Sequence, residues 1–267
     1  MSGISLKLGF FRLRKYITYW LDAVDEHSLH APFLYNFYKN VFCNDPIDKD
    51  HQRIESLREI LKKDAELINL QDLGAGSFQF QKSSRKISDI ARTSLSPAKY
   101  CRLYQRIANY LECTNILEIG TSLGISTMYL SLASNARNVV SIEGSGTIAQ
   151  IATKNFESLY FENIQVVVDS ADDCLKPVLK DLNSVDLVFI DANHTFESTM
   201  RYVNWCMEFC HENSVVIIDD IYWSPEMSKA WKCIRNHPKP TLTLDIYKAG
   251  IVLFKPGIQK ENYVLRF

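Results

Sequence analysis

NILEIGTSLGISTMYLSLASNARNVVSIE, residues 115–143, is the stretch that decides the fold class. It holds two short runs of mostly apolar residues, Ile116–Ile119 and Val139–Ile142, on either side of a glycine-containing turn and a helical pattern over residues 125–134. Nearly continuous apolar runs are typical of strands buried on both faces of a parallel sheet. The stretch therefore predicts a strand, a helix and a second, parallel strand.

The same alternation continues towards the C-terminus. Three more strands are predicted at Ile164–Val168, Leu187–Ile190 and Val215–Ile218, and helices at residues 147–159, 174–180, 197–210 and 226–236. Thr241–Tyr247 and Ile251–Phe254 then flank Lys248-Ala249-Gly250, which predicts a hairpin with glycine in its turn. The predicted fold is α/β: a Rossmann-like, doubly wound, seven-stranded and mostly parallel sheet with an antiparallel C-terminal hairpin strand.

The first hundred residues have a different pattern, helical and without strands up to about residue 112. Residues 72–84 predict a loop, after which Ser84 caps a short helix and residues 97–111 form another. We therefore predict two domains: an N-terminal helical extension or cap over residues 1–100, and the α/β domain over residues 101–267.

Composition and charge exclude several classes of protein. The 30 Lys and Arg residues against 31 Asp and Glu residues give a net charge of −1, which predicts no nucleic-acid partner. Hydrophobic residues make up 46% of the 267 residues, as in an ordinary globular protein. Seven cysteines without CxxC spacing indicate no disulfide framework, so we expect a reducing, cytoplasmic location.

The first 21 residues are basic and apolar, with no acidic residue before Asp22. They lack the uninterrupted apolar core of a signal peptide, and no stretch of the chain approaches the roughly 20 apolar residues of a membrane span. Two interpretations remain open: a packed amphipathic helix with a solvated basic face, and weak peripheral contact with anionic lipid.

The residues after each predicted strand are the candidate site, because a doubly wound sheet binds its ligand beyond the carboxyl ends of the strands. Residues 120–124, GTSLG, follow the first strand, and glycine lets the backbone turn sharply there. Glu143 follows the second strand, 23 positions beyond Gly120, close to the spacing at which an acid accepts hydrogen bonds from ribose hydroxyls. Together they predict adenosine binding.

The turn does not match a dinucleotide site. Ser122 stands where G-x-G-x-x-G has its middle glycine, and Gly124 comes one residue early for the third. A nucleoside without a pyrophosphate fits better, and S-adenosylmethionine is such a ligand. Glu118, the acid that opens the turn, suits its cationic half.

At this point the chain resembles the class I S-adenosylmethionine-dependent methyltransferases, and among them the catechol and caffeoyl-CoA type small-molecule O-methyltransferases. The resemblance is carried by Glu118-Ile-Gly120-x-x-x-Gly124-x-Ser126, followed at successive strand ends by Glu143, Asp169-Ser170-Ala171, Asp191 and Asp219-Asp220. It implies that Glu143 binds the ribose, that residues 120–124 hold the methionine moiety and that Ser170–Asp172 lie near the adenine. The predicted cofactor-binding residues are Glu118, Gly120, Thr121, Ser122, Gly124, Ser126, Glu143, Gly144, Ser170, Ala171, Asp172 and Asp191.

Three carboxylates, Asp191, Asp219 and Asp220, are the predicted metal ligands. Hard oxygen ligands suit Mg²⁺ or Ca²⁺, and the resemblance implies a divalent metal here. It also implies an amide after the second acid, where this chain has Asp220, so the alternative of an acid that caps the following helix stays open.

Proton removal is assigned to His194, with Asp191 as the second catalytic residue. His194 lies three residues after Asp191, where the resembled metal-dependent enzymes carry a lysine, and a histidine accepts protons near neutral pH. The alternative is a loop histidine that is simply hydrogen-bonded to a carboxylate.

Two other patterns are assigned to structure. Residues 72–77, DLGAGS, resemble a methyltransferase turn, but no apolar strand ending in an acid follows, which predicts a flexible loop. Cys206, Cys210 and His211 fall on one predicted helix without further zinc ligands, which predicts core positions.

The predicted function is S-adenosylmethionine-dependent O-methylation of a small hydroxylated acceptor, with assistance from Mg²⁺ or another divalent cation as an open question. Two alternatives remain: a nicotinamide-dependent oxidoreductase on a Rossmann-like fold, which the missing middle glycine argues against, and a non-catalytic adenosyl-binding interaction module. The predicted partner is the small acceptor, and a homodimer is left open.

Overall fold

A computed structural model describes residues 3–70, 83–257 and 259–267. The helices in these ranges are α1 (Gly3–Asp22), α2 (Pro32–Phe37), α3 (Lys49–Leu61), α4 (Ile87–Thr93), α5 (Ala98–Tyr110), α6 (Ile125–Ser131), α7 (Gly146–Ser158), α8 (Ala171–Leu182), α9 (Phe196–Met207) and α10 (Pro225–Asn236). The strands are β1 (Leu67–Leu70), β2 (Ser83–Lys86), β3 (Asn115–Ile119), β4 (Asn138–Glu143), β5 (Ile164–Val168), β6 (Val185–Ile190), β7 (Cys210–Asp219), β8 (Leu242–Asp245), β9 (Ala249–Leu253) and β10 (Glu261–Val264).

The central sheet has eight strands in the order β10-β8-β9-β7-β6-β3-β4-β5. Strand β9 pairs antiparallel with β7 and with β8, whereas β3–β4, β4–β5, β6–β7 and β8–β10 are parallel pairs. The predicted α/β class with a mostly parallel sheet is confirmed. The sheet has one strand more than predicted, because β10 adds a parallel edge beside β8.

Short capping side chains start the helices that follow three of the parallel strands. Ser145 Oγ accepts from the amide of Ile148 at the start of α7, Thr195 Oγ1 accepts from the amide of Ser198 in α9, and Ser224 Oγ accepts from the amide of Met227 in α10. Such caps satisfy amides that a helix itself leaves without partners. They fix where each strand gives way to its helix, and those junctions carry the candidate site.

The chain divides into two compact units, described separately below: Asn40–Leu182, and the residues up to Lys39 together with Asn183–Phe267. In the first unit, residues from α3 and α4 share one buried cluster with residues from α6 and α7, among them Ile54, Ile90, Met128, Tyr129 and Phe156. The predicted domain boundary near residue 100 stays a prediction.

The second unit contains β6–β10 with α1, α2, α9 and α10. Gly250 in β9 lies against the ring of Trp231 in α10, where a Cβ on residue 250 would come within 2.4 Å of the ring. Trp231 Nε1 and the Tyr222 hydroxyl both donate to Asp245 Oδ2, at 2.9 and 2.6 Å. The glycine of the predicted hairpin turn is therefore a packing position inside a strand, and Tyr247, with φ 66°, lies in the turn instead.

The prediction of a strandless N-terminal region was wrong. Strands β1 and β2 pair antiparallel, and Ser84 lies within β2 rather than capping α4, whose N-cap is Lys86. The SSRK sequence of β2 has no apolar alternation, so it lacks the pattern by which a strand is predicted. Residues 71–82, with the DLGAGS segment, lie outside the described residues.

The assignment of Cys210 and His211 to a helix was also wrong. Both lie at the start of β7, where His211 Nε2 is 2.8 Å from Asp186 Oδ1. Cys206 is buried on α9, as predicted. All seven cysteines lie within the described residues and are free thiols.

Candidate active site

The turn between β3 and α6 is built from left-handed backbone conformations. Gly120, Ser122 and Gly124 have φ of 105°, 50° and 83°. A Cβ at Gly124 would lie 2.4 Å from the ring of Phe156, so only glycine fits there. Positive φ is costly for a residue with a side chain, and Ser122 adopts it nonetheless.

Glu143, at the end of β4, holds this turn in place. Its Oε2 accepts from the Ser122 amide at 2.9 Å, and its Oε1 accepts from the Ser145 amide at 2.9 Å. A carboxylate has about four acceptor positions, and two of those of Glu143 are taken by these amides. The predicted ribose-binding acid is thus fixed in orientation by the backbone around it.

Two features beside Glu143 indicate room for a ligand. The Oγ of Ser122 is buried and has no hydrogen-bond partner among the residues that the structure describes. Buried polar atoms in proteins are almost always paired. A Cβ added at Gly144 would meet nothing within 4 Å. The β3–α6 turn therefore holds a hydroxyl without a partner among the described residues, and the segment after β4 has open space at Gly144.

Glu118 lies beneath the turn and is fully buried. Its carboxylate accepts from the hydroxyls of Ser126 and Ser141, both at 2.6 Å, and from that of Thr127. Burial raises the pKa of Glu118 to about 7, against the lowering effect of these hydroxyls. Hydroxyl hydrogen bonds account for both carboxylate oxygens, so the structure supports a positioning role.

Thr121 takes part in the same buried network, with its Oγ1 2.5 Å from Ser141 Oγ.

The residues after β5 lead into the first turn of α8. Ser170 Oγ accepts from the Asp172 amide at 3.2 Å, and the amide of Asp169 donates to the carbonyl of Glu143 at 3.1 Å. The structure therefore brings the segment that contains Ser170 and Ala171 next to the end of β4.

In the other unit, Asp191, His194 and Asp220 form a second cluster, in which one ligand atom from each lies within 4.8 Å of the others. His194 Nε2 is 3.4 Å from Asp191 Oδ1. Burial lowers the pKa of His194, while the nearby Asp220 opposes that shift. Burial therefore favours the neutral form of the ring, which is the form that accepts a proton.

Backbone strain is concentrated at this cluster. Asn193, His194 and Asp220 have φ of 60°, 40° and 52°. Non-glycine residues in this conformation cost free energy and are often found at functional sites. The Asn193 side chain donates to the Tyr202 hydroxyl at 2.7 Å, which anchors the loop that presents His194.

Lys248, in the β8–β9 turn, joins two of the predicted acids. Its Nζ donates to Asp219 Oδ2 and to Asp220 Oδ1, both at 2.9 Å, and Asp219 is only 1% exposed. Burial works against the charged ammonium, but the two carboxylates hold the pKa of Lys248 above its ordinary value. Sequence reasoning assigned Lys248 to the turn alone. No local sequence signal shows this contact, because it depends on the pairing of Asp219 with Ala249, which brings the turn to the end of β7.

The donor chemistry fits a divalent cation at Asp191, His194 and Asp220, since these side chains offer two carboxylates and an imidazole. Lys248 binds the carboxylates of both Asp219 and Asp220, so this contact does not distinguish the two acids as ligands. This cluster shares Asp191 and Asp220 with the predicted ligands Asp191, Asp219 and Asp220, and the metal assignment stays a prediction.

Trp223 lies near the second cluster, with its ring centroid 6.3 Å from that of His194. The Arg12 guanidinium lies 3.8 Å from the centroid of the indole, and Arg12 Nε donates to the carbonyl of Trp223 at 2.9 Å. Helix α1 is therefore attached to the segment that follows Asp220.

Comparison with known proteins shows what the chain is similar to. Residues 117–221 match a family profile described as "Methyltransferase domain". This range runs from β3 to just beyond Asp220. It contains the residues of both clusters but not Lys248, which binds Asp220.

Two curated relatives are catechol O-methyltransferases. The one from Mycobacterium tuberculosis is 31% identical over 117 residues, which cover 43% of this chain and 51% of the relative. The one from Niastella koreensis is 25% identical over 124 residues, which cover 45% of this chain and 55% of the relative. The aligned part thus spans about half the length of these curated relatives, and it confirms the predicted resemblance.

Solved structures share the fold. An O-methyltransferase from Bacillus cereus in complex with SAH has a TM-score of 0.56 at 18% identity, covering 82% of this chain and 96% of its own. The O-methyltransferase TomG from Streptomyces achromogenes, in complex with SAM, has a TM-score of 0.56 at 16% identity, covering 82% and 94%. At such low identity these likenesses concern the fold alone.

Proposed function

We propose that this chain is an S-adenosylmethionine-dependent methyltransferase that methylates the hydroxyl oxygen of a small acceptor. The observation that carries the proposal is the β3–α6 turn, in which Glu143 fixes the backbone while the Ser122 hydroxyl has no partner in the described parts of the chain. The similarity to catechol O-methyltransferases supports the choice of methyl donor and of an oxygen acceptor.

The cofactor residues keep their predicted assignments in this proposal, with one refinement. Glu143 accepts from the ribose hydroxyls, the 120–124 turn holds the methionine moiety, and Ser170–Asp172 lie near the adenine. Glu118, Thr121 and Ser126 support the turn from below, because their polar groups bind one another or Ser141. Their role is to hold the turn in its binding conformation.

His194 is the proposed base, and Asp191 orients it. S-adenosylmethionine, when bound, supplies a methyl group already activated by its sulfonium, so the protein must align the acceptor oxygen and remove its proton. With Nε2–H directed at Asp191, 3.4 Å away, the His194 Nδ1 is the atom that accepts the proton. The imidazolium that results is stabilised by Asp191 and Asp220.

Lys248 offsets negative charge at the end of β7. Asp219 and Asp220 would repel each other at the end of β7, and the Lys248 ammonium between them removes that repulsion. A divalent cation is then not needed to hold the two acids together.

The predicted metal is the second candidate, because Asp191, His194 and Asp220 form a suitable donor set. A Mg²⁺ or Ca²⁺ bound there would lower the pKa of an acceptor hydroxyl. It would also engage His194 as a ligand, so the metal site and the histidine base exclude each other.

The proposal also gives a role to the predicted cap over residues 1–100. In this region, the Arg12 guanidinium lies over the ring of Trp223, which is near His194. We propose that this region closes over the acceptor and excludes water. Arg12→Ala should therefore raise the KM for the acceptor and leave the affinity for S-adenosylmethionine unchanged.

Calorimetry with S-adenosylmethionine, S-adenosylhomocysteine and NAD tests the cofactor. Binding of both sulfur compounds without NAD is expected. Binding of NAD alone would establish the oxidoreductase alternative, and absence of binding to the sulfur compounds would overturn the proposal.

A methyl-transfer screen over hydroxylated compounds, with and without a chelator, tests the reaction. Transfer that persists in chelator and is lost in His194→Ala is the expected result. The matched control is His211→Ala, which removes another histidine–aspartate pair, at the start of β7. Loss of transfer in chelator with recovery in Mg²⁺ would establish the metal candidate instead. Binding without transfer to any acceptor would favour the non-catalytic module.

A further inference from the structure

Helix α1 packs onto its own unit through one face. Tyr19 is buried and its hydroxyl donates to the carbonyl of Leu265 at 2.8 Å. Tyr16 meets Tyr247 edge to face with ring centroids 5.1 Å apart, and Arg12 covers Trp223. This face alone is enough to attach the helix.

The opposite face of α1 is also apolar, and it is exposed. Its side chains are Leu6, Phe10, Leu13, Ile17, Trp20 and Leu21, which are 66%, 71%, 55%, 50%, 65% and 69% exposed. From Leu6 to Trp20 they recur at alternating spacings of four and three residues, which keeps them on one side of a helix with about 100° per residue. The same count places them roughly opposite Tyr19. An apolar stripe of this size on a soluble surface marks an interaction site.

Charge identifies the kind of surface that fits this stripe. Lys7 and Arg14 are exposed and border it by the helical count, and the sequence has no acidic residue before Asp22. A helix with an apolar face, basic residues at its border and an interfacial tryptophan is the pattern of helices that lie in a membrane surface and bind anionic lipid. Trp20 supplies the tryptophan.

A second copy of this chain fits the stripe less well. The stripe runs from Leu6 to Leu21, so Arg14 lies at its middle. Two such helices packed antiparallel would bring Arg14 close to the same residue of the other copy, and like charges that approach closely repel. In a parallel pair, the sequence before Asp22 offers no acidic residue to neutralise Arg14. Anionic headgroups would instead neutralise it.

We propose that the outer face of α1 lies in the surface of a membrane that contains anionic lipid. Across the described parts of the chain, every helix is too short or too polar to cross a bilayer. The helix therefore lies in the plane of the surface, with the face that bears Tyr19 still attached to the protein. This inference is independent of the proposed methyl transfer.

Flotation of the full chain with vesicles tests the proposal. Vesicles of phosphatidylcholine with phosphatidylserine should carry the protein, those of phosphatidylcholine alone should carry much less, and high salt should release it because salt screens surface charge. Phe10→Glu combined with Ile17→Glu should weaken vesicle binding by about tenfold or more, since two apolar side chains no longer insert. Both positions are exposed, so the fold is expected to survive.

Ile60→Glu is the matched control, because Ile60 is a similarly exposed apolar residue on another helix, 63% exposed on α3. It should leave vesicle binding unchanged. Absence of binding to the anionic vesicles, or binding that Phe10→Glu with Ile17→Glu does not reduce, overturns the proposal. Sedimentation that shows self-association lost in the same double variant would assign the stripe to a second copy, and that result would also overturn it.

Discussion

The cluster at the β3–α6 turn and the cluster in the other unit hold their carboxylates in different ways. Glu118 and Glu143 are held by neutral donors, hydroxyls and backbone amides. Asp219 and Asp220 are held by an ammonium, that of Lys248. Neutral donors fix a carboxylate without cancelling its charge, whereas an ion pair cancels it. The first cluster is thus suited to a cationic ligand, whereas in the second cluster one ammonium offsets part of the charge of two carboxylates.

The largest effect is expected from Lys248→Met. It leaves Asp219 buried without its cation, and breaking a buried pair in this way costs about 3–5 kcal/mol of the free energy of unfolding. Urea denaturation measures the loss. Lys154→Met, at an exposed lysine, is the control and should change little.

The double variant Lys248→Met with Asp219→Asn sharpens this test. It removes the uncompensated charge and should recover part of the lost stability. Equal stability of Lys248→Met and the wild type would show that an ion pair does not hold the second cluster.

The next effect concerns pH and the first cluster. The pKa of Glu118 is raised to about 7 in the folded protein from an ordinary value of 4.5. The folded state therefore binds the proton more tightly than the unfolded state. Its contribution to stability is complete below pH 4.5 and is lost as the pH rises through 7, which amounts to a few kcal/mol. Glu118→Gln cannot titrate, so its unfolding free energy should fall less than that of the wild type over this range. Parallel curves for the two proteins would contradict the prediction.

Glu143→Ala should have a smaller effect, on binding. Loss of hydrogen bonds to a charged acceptor should weaken S-adenosylmethionine binding by about 1.5–3 kcal/mol. Calorimetry measures the change, and Glu157→Ala on the exposed side of α7 serves as the control. Unchanged affinity in a folded Glu143→Ala protein would remove the ribose assignment.

The smallest effect is expected at Gly144. A methyl group there meets nothing within 4 Å, so Gly144→Ala should change stability by no more than about 0.5 kcal/mol. It should still reduce cofactor affinity by about 1 kcal/mol, because the methyl group enters the space beside Glu143. Gly146→Ala, whose Cβ would make an ordinary 3.7 Å contact with Val168, should leave the affinity unchanged. Equal affinities for both variants would mean that the ligand does not occupy the space at Gly144.

The parts of the fold that could be predicted are those whose signal is local. Strands β3, β4 and β6 and the second half of β7 are buried, so their sequences are nearly continuous apolar runs. The edge strand β5 is only partly buried but is still mostly apolar. The ends of β4, β6 and β7 lead directly to Glu143, Asp191 and Asp219. Strands β2 and β10, with sequences SSRK and ENYV, form through pairing with a partner strand rather than through an apolar pattern of their own.

Long-range pairing also explains what was missed at the site. Lys248 reaches Asp219 because β9 returns antiparallel to β7, and no local pattern shows that a turn lysine meets an acid 29 residues earlier. Gly250 was expected in the turn because glycine favours turns. It lies in β9 instead, because Trp231 leaves no room for a side chain.

Lys248 lies in a hairpin that is synthesised after the acids it binds, and this affects the order of folding. Strand β7 and its two acids leave the ribosome before β8 and β9, and segments fold from the N-terminal side as they emerge. Until the hairpin closes, Asp219 has no cation and its burial is unfavourable. The last strands therefore bring a cation to acids that are already made, which ties maturation of the second cluster to the closing of the sheet.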